Sequence, residues 1–376
     1  RSFKILKRGE GAETGQADLA LRYDLTVPLA RVVAEYRSKL PKFFKRYQVQ
    51  PVWRADRPQK GRFREFYQCD VDSLGSTSPF IEAEVCAAVA DALTQLGFND
   101  FVIRLNHRQL LTSMLNAAGV PEPLHGSALV AVDKLDKIGR DGVLKEMETR
   151  GITADAAGRL MASLSETDFS RFDGFDAAGA AAFQNLQQII HLAAATRAGK
   201  RIQIDLSLAR GLSYYTGAVM EISVADLAGS IGGGGRYDNL VGMFLGQHIP
   251  ACGFSLGLER ILVVMGERNM FPASLALSPA DLMIAAFDPS GLGEAMRVAG
   301  RLREQGLRVF VYPDADKIGK QIKYADSRQI PFVALLGEKE LRDGTLTVKN
   351  LATQAQDTRP LDAAGAAILE ALRQRG

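Results

Sequence analysis

Between Lys42 and Glu65 the chain sets eight basic side chains (Lys42, Lys45, Arg46, Arg54, Arg57, Lys60, Arg62 and Arg64) against only Asp56 and Glu65. Guanidinium forks at this density suit a polyanion such as a nucleotide or nucleic acid, since each can grip two phosphate oxygens. Charge alone also fits a solvated basic face. The spacing adds more. Tyr47, Val49 and Trp53 alternate with Arg46, Gln48, Gln50 and Arg54. Phe63, Tyr67, Cys69 and Val71 alternate with Arg62, Arg64, Phe66, Gln68, Asp70 and Asp72. A strand sends odd and even positions to opposite faces. Paired as a hairpin, the two segments put Arg54, Gln68 and Asp72 together on an unusually polar face. Residues 55–61, with Pro58 and Gly61, read as the loop between them.

Four consecutive glycines, Gly232 to Gly235, lie further along. They are no Walker loop, because no GKS/T follows, and the GxGxxG form lacks its strand–turn–helix setting. They read either as a flexible turn or as backbone that must approach a ligand or a neighbouring strand closely. Arg210 stands where the alternating stretch 202–208 runs into Gly211, with Tyr214 and Tyr215 after it. Arg260 follows Glu259 at the entry to an apolar helix. Taken singly, these two arginines read most simply as surface charges.

Other chemistries are excluded by what is sparse. Cys69, Cys86 and Cys252 form no CxxC pair, and the four histidines show no HExxH spacing, so neither a zinc site nor a His-built metal site is expected. Three unpaired cysteines fit free thiols in a reducing cytosol. No apolar run approaches the ~18 residues of a membrane span. A hydrophobic share of 47% with 24% charged residues is ordinary globular usage, which excludes a disordered or collagen-like chain. The net charge of +3 says little about partners.

The elements that must position these residues can be read in outline. A length of 376 residues suits two or three domains. After the hairpin, Ser78 can cap a helix with Pro79 in its first turn; Ile81, Val85, Val89, Leu93 and Leu96 share one face, and Gly97 ends it. Residues 106–199 are rich in alanine and helical periodicity and read as a mostly helical insertion. Strands return at 202–208 and 218–224. Residues 268–280, with Pro272 and Pro279, read as a linker. Beyond it, strands at 282–287, 308–312, 332–336 and 346–348 alternate with helices at 293–305, 317–328 and 363–373. That pattern is a compact α/β domain.

Five segments taken together carry a family resemblance. In order they are RYDLTVPLAR (22–31), VWRADRPQKGRFREFYQCDVD (52–72), ARGLSYYTG (209–217), GGGGRYDNLV (232–241) and GFSLGLER (253–260). The chain strongly resembles the class II histidyl-tRNA synthetases from about residue 20 to its end. The resemblance implies an α/β protein. Residues 1–105 and 200–267 would form the catalytic antiparallel sheet flanked by helices, and 106–199 the helical insertion. Residues 281–376 would form the anticodon-binding α/β domain. It implies activation of L-histidine by ATP, carried with Mg²⁺ as a substrate complex, and transfer to tRNA(His), with no permanent cofactor or resident metal. By the resemblance, Arg54, Arg210 and Arg260 carry catalysis and, with Asp56 and Arg62, bind ATP. Asp24, Thr26 and Gln68 match residues that receive the substrate ammonium. Asp72 and Tyr215 match those facing the imidazole, and Tyr214 and Tyr237 stand beside the substrate. Asp24 and Asp72 depart from a Glu/Glu pattern seen in other members, and Ser213 stands where Asp is common. Gln59 and Arg64 would meet the tRNA acceptor end, and Lys317 and Lys320 its backbone in the anticodon domain. The family is cytoplasmic and dimerises through motif 1, which precedes the segments matched here; the native chain is expected to extend further towards its N-terminus. The runner-up is the non-catalytic regulatory subunit of ATP-phosphoribosyltransferase, which shares the fold and can bind histidine. It typically loses the arginines that this chain keeps at 54, 210 and 260. A tRNA-sensing module without activity is the third reading, though no kinase signature accompanies it.

Overall fold

The computed structural model describes residues 2–166, 175–209, 214–227, 229–272, 275 and 278–374. The chain divides into two units, Arg1–Met270 and Phe271–Gly376. Arg210 lies outside the described residues.

The main sheet of the first unit has, among the described residues, seven strands: β1 (Phe44–Trp53), β2 (Glu65–Leu74), β3 (Val102–His107), β4 (Ile202–Ile204), β5 (Ala218–Ser223), β6 (Ser230–Arg236) and β7 (Ala251–Gly257); Lys4–Leu6 and Ala17–Ala20 pair in a separate two-stranded sheet. Their order in the sheet is β1-β2-β7-β6-β5-β3-β4. Every pairing is antiparallel except β3 with β4. The β1–β2 hairpin aligns even positions with even: Arg46 opposes Asp72, Gln48 opposes Asp70 and Gln50 opposes Gln68. The alternation in the sequence is therefore the register in the fold. Its polarity is the reverse of an ordinary half-buried strand. Gln68, Asp70 and Asp72 are buried, whereas Tyr47 is 82% exposed on the odd face and Val49 and Tyr67 are exposed with it. Burying three polar side chains is unfavourable unless partners or a ligand satisfy them. That inversion is the first structural sign of a site.

The glycine run is a strand, β6, in the middle of the sheet between β5 and β7. A Cβ on Gly234 would lie 2.2 Å from the Gly253 carbonyl oxygen, and one on Gly235 would lie 2.6 Å from that of Ala218. Close approach of neighbouring strands, not turn flexibility, is why glycine stands there.

Helices flank the sheet: α1 (Thr26–Glu35), α2 (Phe80–Gln95), α3 (Arg108–Ala117), α4 (His125–Val132), α5 (Leu135–Thr149), α6 (Ala154–Leu164), α7 (Ala177–Ala193) and α8 (Leu258–Glu267). The Phe80 N–H donates to Ser78 Oγ at 3.3 Å at the start of α2. Ile81, Val85, Val89 and Leu93 are buried along one face, but Leu96 is exposed, because the helix has ended and Gly97 turns the chain at φ 89°. Helices α3 to α7 share one core with the sheet: Leu110, Met114, Leu129 and Leu186 pack in the same cluster as Ile103 and Leu105 of β3. Strand β4 stops at Ile204, short of the alternation that runs to 208. Asp205 turns inward there, accepting from the Ser207 N–H at 2.9 Å and from Arg104 Nε at 2.5 Å. Arg236 ties β6 to α2 through a buried ion pair with Glu82 at 2.6 Å. Two further hydrogen bonds, to the Ser76 and Ser78 carbonyls, help offset the desolvation of that charge.

The second unit has the sheet order β9-β8-β10-β11-β12, with β8 (Leu282–Ala286), β9 (Val309–Val311), β10 (Phe332–Leu336), β11 (Thr345–Asn350) and β12 (Gln356–Pro360). Strand β8 pairs parallel with β9 and β10; β10–β11 and β11–β12 are antiparallel. Helices α9 (Leu292–Glu304) and α11 (Leu361–Arg373) cover Leu282 and Ile284. Helix α10 (Ile318–Ser327) covers Met283, Ala285 and Val333 on the other side. A sheet buried on both faces explains why its central strands are continuously apolar. Among the described residues no helix is long and apolar enough to cross a membrane.

Candidate functional site

A cavity of about 370 Å³ opens over the polar face of the β1–β2 hairpin and the middle of the sheet. Eleven of the residues singled out in the sequence line it: Asp24, Thr26, Arg54, Asp56, Arg62, Gln68, Asp72, Tyr214, Tyr215, Tyr237 and Arg260. Gln59 and Arg64 belong to the hairpin loop but do not line it. Lys317 and Lys320 belong to the second unit.

The floor is acidic. Asp72 is buried, with Arg46 Nη2 2.9 Å from its Oδ2 and the Tyr237 hydroxyl donating to its Oδ1 at 2.5 Å. Burial pushes its carboxyl up, while the Arg46 charge and the Tyr237 bond pull it down. Asp70, two residues back on the same face, is pushed up to about 7, chiefly by burial; the Ser255 hydroxyl opposes the shift and neighbouring Asp72 adds to it. Gln68 Nε2 donates to Ser255 Oγ at 2.7 Å. Asp24 Oδ1 accepts from the Val27 N–H at 3.2 Å at the start of α1. Its carboxyl is raised, first by burial, with the Val27 bond and Arg54 lowering it. Three carboxyl groups thus converge, each raised by burial and each with a guanidinium acting against that rise: Arg46 on Asp70 and Asp72, and Arg54 on Asp24.

The other end is basic and aromatic. The Arg54 guanidinium lies 4.5 Å from the Tyr23 ring centroid and 4.9 Å from that of Phe66. Its Nε donates to the Tyr23 carbonyl at 3.2 Å. Stacking of this kind fixes the plane of the guanidinium fork. Arg260, in the first turn of α8, donates through Nε to the Gly61 carbonyl at 2.8 Å and through Nη1 to the Ser230 carbonyl. It therefore clasps the hairpin loop against the start of β6. Gly61 turns that loop at φ 66°, a backbone angle that glycine adopts without strain. The loop closes on itself through Gln59 and Arg62, whose N–H and carbonyl groups bond reciprocally at 3.1 and 2.8 Å. Arg64 Nε donates to the Asp56 carbonyl at 3.3 Å.

Tyr214, Tyr215 and Tyr237 form an aromatic wall. Ring centroids are 4.6 Å apart for Tyr214–Tyr215 and 6.4 Å for Tyr214–Tyr237. Burial pushes all three phenols up, so they remain neutral donors and acceptors. In the second unit, Lys317 precedes α10 and Lys320 lies in its first turn, ion-paired with Asp316 at 2.7 Å.

Sequence reasoning gave no role to Phe66, Asp70, Glu221, Ser255 and Glu259, which also line the cavity. Parity was the available signal for two of them: Phe66 and Asp70 share the even face with Gln68 and Asp72. Glu221, the one charged residue of β5, is buried beside Arg104, 3.5 Å away.

Comparison with known proteins gives the geometry a family. Residues 12–261 match the family model described as histidyl-tRNA synthetase, and residues 281–371 match the one described as anticodon binding domain. A histidine–tRNA ligase of Cytophaga hutchinsonii is 43% identical over 347 residues, 90% of this chain and 76% of that protein. One from Porphyromonas gingivalis is 42% identical over 353 residues, covering 92% and 77%. The crystal structure of histidyl-tRNA synthetase from Nostoc sp. PCC 7120 superimposes with a TM-score of 0.73 at 28% identity, over 94% of this chain and 84% of that one. The fold, the two matched regions and the extent of identity lead to one conclusion: the chain belongs to the class II histidyl-tRNA synthetase family.

Proposed function

We propose the following division of labour in the cavity of this histidine–tRNA ligase, which uses ATP to activate L-histidine and passes it to tRNA(His). The observation that carries it is the lining of one cavity, which brings Asp24, Gln68, Asp70 and Asp72 together with Arg54, Arg62 and Arg260. Histidine presents an ammonium and an imidazole N–H, which suit the acidic end. ATP presents four phosphate charges, which suit the basic end.

Asp24, Thr26 and Gln68 receive the ammonium. Asp72 accepts from one imidazole nitrogen and Tyr215 meets the other, with Tyr214 and Tyr237 walling the ring. A pocket built from polar groups rejects apolar side chains, because its own groups would then be left unpaired. Arg54 holds the α-phosphate beside the histidine carboxylate. Arg260 lies along the adenine and reaches the terminal phosphates with Arg62, while Asp56 stands at the adenine end. Arg210 is assigned to the far side of the α-phosphate. The carboxylate oxygen attacks the α-phosphorus, the bond to the β-phosphate bridging oxygen breaks, and pyrophosphate leaves. The terminal ribose hydroxyl of the tRNA then attacks the carbonyl carbon and AMP leaves. No protein nucleophile is needed; positioning and preorganised positive charge lower the barrier. Mg²⁺ enters with ATP and neutralises its phosphates. Gln59 and Arg64 contact the acceptor end, and Lys317 and Lys320 the anticodon-end backbone. We further propose a cytoplasmic homodimer.

The regulatory-subunit reading is less supported. A Bacillus halodurans chain described as an ATP phosphoribosyltransferase regulatory subunit/histidyl-tRNA synthetase shares the fold, with a TM-score of 0.67 at 21% identity over 90% of this chain and 83% of that one. A regulatory role gives no reason for Arg54 and Arg260 to sit at the basic end of the cavity. Asp72→Asn tests the pocket assignment: the histidine KM should rise about tenfold or more with the ATP KM little changed. An unchanged histidine KM would remove Asp72 from the pocket's contacts.

A further inference from the structure

Arg46 does not line the cavity. It stands on β1, directly opposite Asp72 in the register, with its side chain 11% exposed. One nitrogen, Nη2, lies 2.9 Å from Asp72 Oδ2 and donates to the Leu25 carbonyl at 3.2 Å. The other terminal nitrogen donates to Gln48 Oε1, and Gln48 in turn donates to Gln50 Oε1 at 3.1 Å. Leu25 is the residue between Asp24 and Thr26. A single guanidinium therefore fastens together two parts of the acidic end, the Asp72 carboxylate on β2 and the segment that carries Asp24 and Thr26.

The opposite side of Asp72 is equally confined. A Cβ on Gly253 would lie 2.0 Å from Asp72 Oδ1, and that same oxygen accepts from Tyr237. The carboxylate thus has one orientation, set by Arg46 behind and by Tyr237 and β7 beside it.

We propose that Arg46, from behind the cavity wall, keeps Asp72 anionic and aimed at the ligand, and so acts as a positioning residue that sets affinity for the histidine imidazole. The proposal rests on the reading that Asp72 meets the imidazole. A charged acceptor makes a stronger hydrogen bond than a neutral one, so the charge state of Asp72 matters directly to affinity.

Among the described residues, the titratable groups that face Asp72 come from four places. Arg46 comes from β1, and Tyr237 follows β6. Cys252 comes from β7, its thiol held neutral by burial. Asp70 comes from the same strand, with Asp24 beyond it acting on Asp70. Among these, Arg46 is the only cation. Removing Arg46 takes away the one positive charge that acts on Asp72 among the described residues, and Asp72 takes a proton at higher pH.

The test measures histidine-dependent exchange of pyrophosphate into ATP for Arg46→Met, Arg46→Lys, Asp72→Asn and the Arg46→Met/Asp72→Asn pair, from pH 6 to 9. Expected for Arg46→Met is a histidine KM raised about tenfold with the ATP KM within twofold of wild type. The acid limb of kcat/KM for histidine should move to higher pH relative to wild type; titration of the substrate itself is common to both enzymes and cancels. Arg46→Lys, which keeps the charge but loses the fork, should recover part of the affinity and most of the pH profile. Added to Asp72→Asn, Arg46→Met should have little further effect on the histidine KM. Equal losses for histidine and ATP with an unshifted acid limb would overturn the proposal. If Asp72→Asn raises the histidine KM and Arg46→Met does not, only the role of Arg46 fails. If Asp72→Asn also leaves it unchanged, the pocket reading itself fails, and the proposal with it. Should Arg46→Met not yield folded protein, Arg46→Lys decides alone. A severalfold rise confined to the histidine KM supports the proposal, and an unchanged KM or equal losses for both substrates overturn it.

Discussion

Replacing Gly253 with alanine should damage histidine recognition while leaving ATP binding largely intact. The new methyl carbon would sit 2.0 Å from Asp72 Oδ1 and 2.9 Å from the Val71 carbonyl oxygen. Non-bonded carbon and oxygen atoms do not approach so closely, and the carboxylate must retreat by about 1 Å or more. It has no room to do so freely, because Arg46 and Tyr237 hold it at 2.9 and 2.5 Å. A retreat of that size breaks the Tyr237 bond or swings the carboxylate away from the cavity. Loss of a charge-assisted hydrogen bond costs about 1.5–3 kcal/mol, equivalent to roughly a ten- to hundredfold rise in the histidine KM. The overpacking itself costs about 1–3 kcal/mol of stability, read as a lower Tm. Pyrophosphate exchange at varied histidine and at varied ATP separates the two effects. A folded alanine variant whose histidine KM stays within twofold of wild type would refute the reasoning, since it would mean that Asp72 can move without consequence for the ligand.

Other expectations follow from the same geometry. Tyr237→Phe removes only the hydroxyl that donates to Asp72 at 2.5 Å, so the histidine KM should rise by roughly three- to tenfold at an unchanged ATP KM. Burial pushes the Asp70 carboxyl up to about 7, above its ordinary 3.8. The native state therefore holds a proton that the unfolded state has released between those values, and stability falls as pH rises from about 4 to about 7, then levels off. Asp70→Asn should accordingly match wild type at pH 4 and exceed it at pH 8 by up to about 4 kcal/mol in denaturant unfolding; no pH dependence in the difference would show that Asp70 is not held protonated. Arg260→Ala releases the Gly61 and Ser230 carbonyls that it clasps, and the ATP KM should rise at least tenfold, with binding of histidine alone, by calorimetry, within twofold of wild type. Lys317→Ala with Lys320→Ala should weaken tRNA charging and reduce its salt dependence while leaving pyrophosphate exchange untouched. A loss of exchange in that double variant would contradict the assignment.

Much of this site could be read in the chain because strand alternation is a local code. The even positions of 46–54 and 62–72 read as a polar face, and the observed register sets those from 46 to 50 opposite those from 68 to 72, whereas Arg54, Arg62 and Arg64 lie beyond the ends of the paired strands. The same code holds Arg46 and Asp70, but parity places a side chain on a face without saying what lies behind it. Other features depend on contacts distant in sequence. Four glycines read equally as a turn until Gly253 and Ala218 appear on either side of them. Strand β12, Gln-Asp-Thr-Arg-Pro, carries no apolar alternation and is paired along β11, with Thr358 Oγ1 2.9 Å from Thr347 Oγ1. The alternation at 202–208 overstates β4, because the Asp205 side chain makes a turn that propensity alone does not reveal.

The central claim is that the acidic and basic ends of one cavity join histidine to the α-phosphate of ATP. Exchange of labelled pyrophosphate into ATP, run with each of the twenty amino acids in turn, tests it most directly. Histidine alone should support exchange, and Arg54→Ala should abolish it. Exchange with another amino acid would contradict the pocket assignment, and binding of histidine without any exchange would contradict the catalytic one.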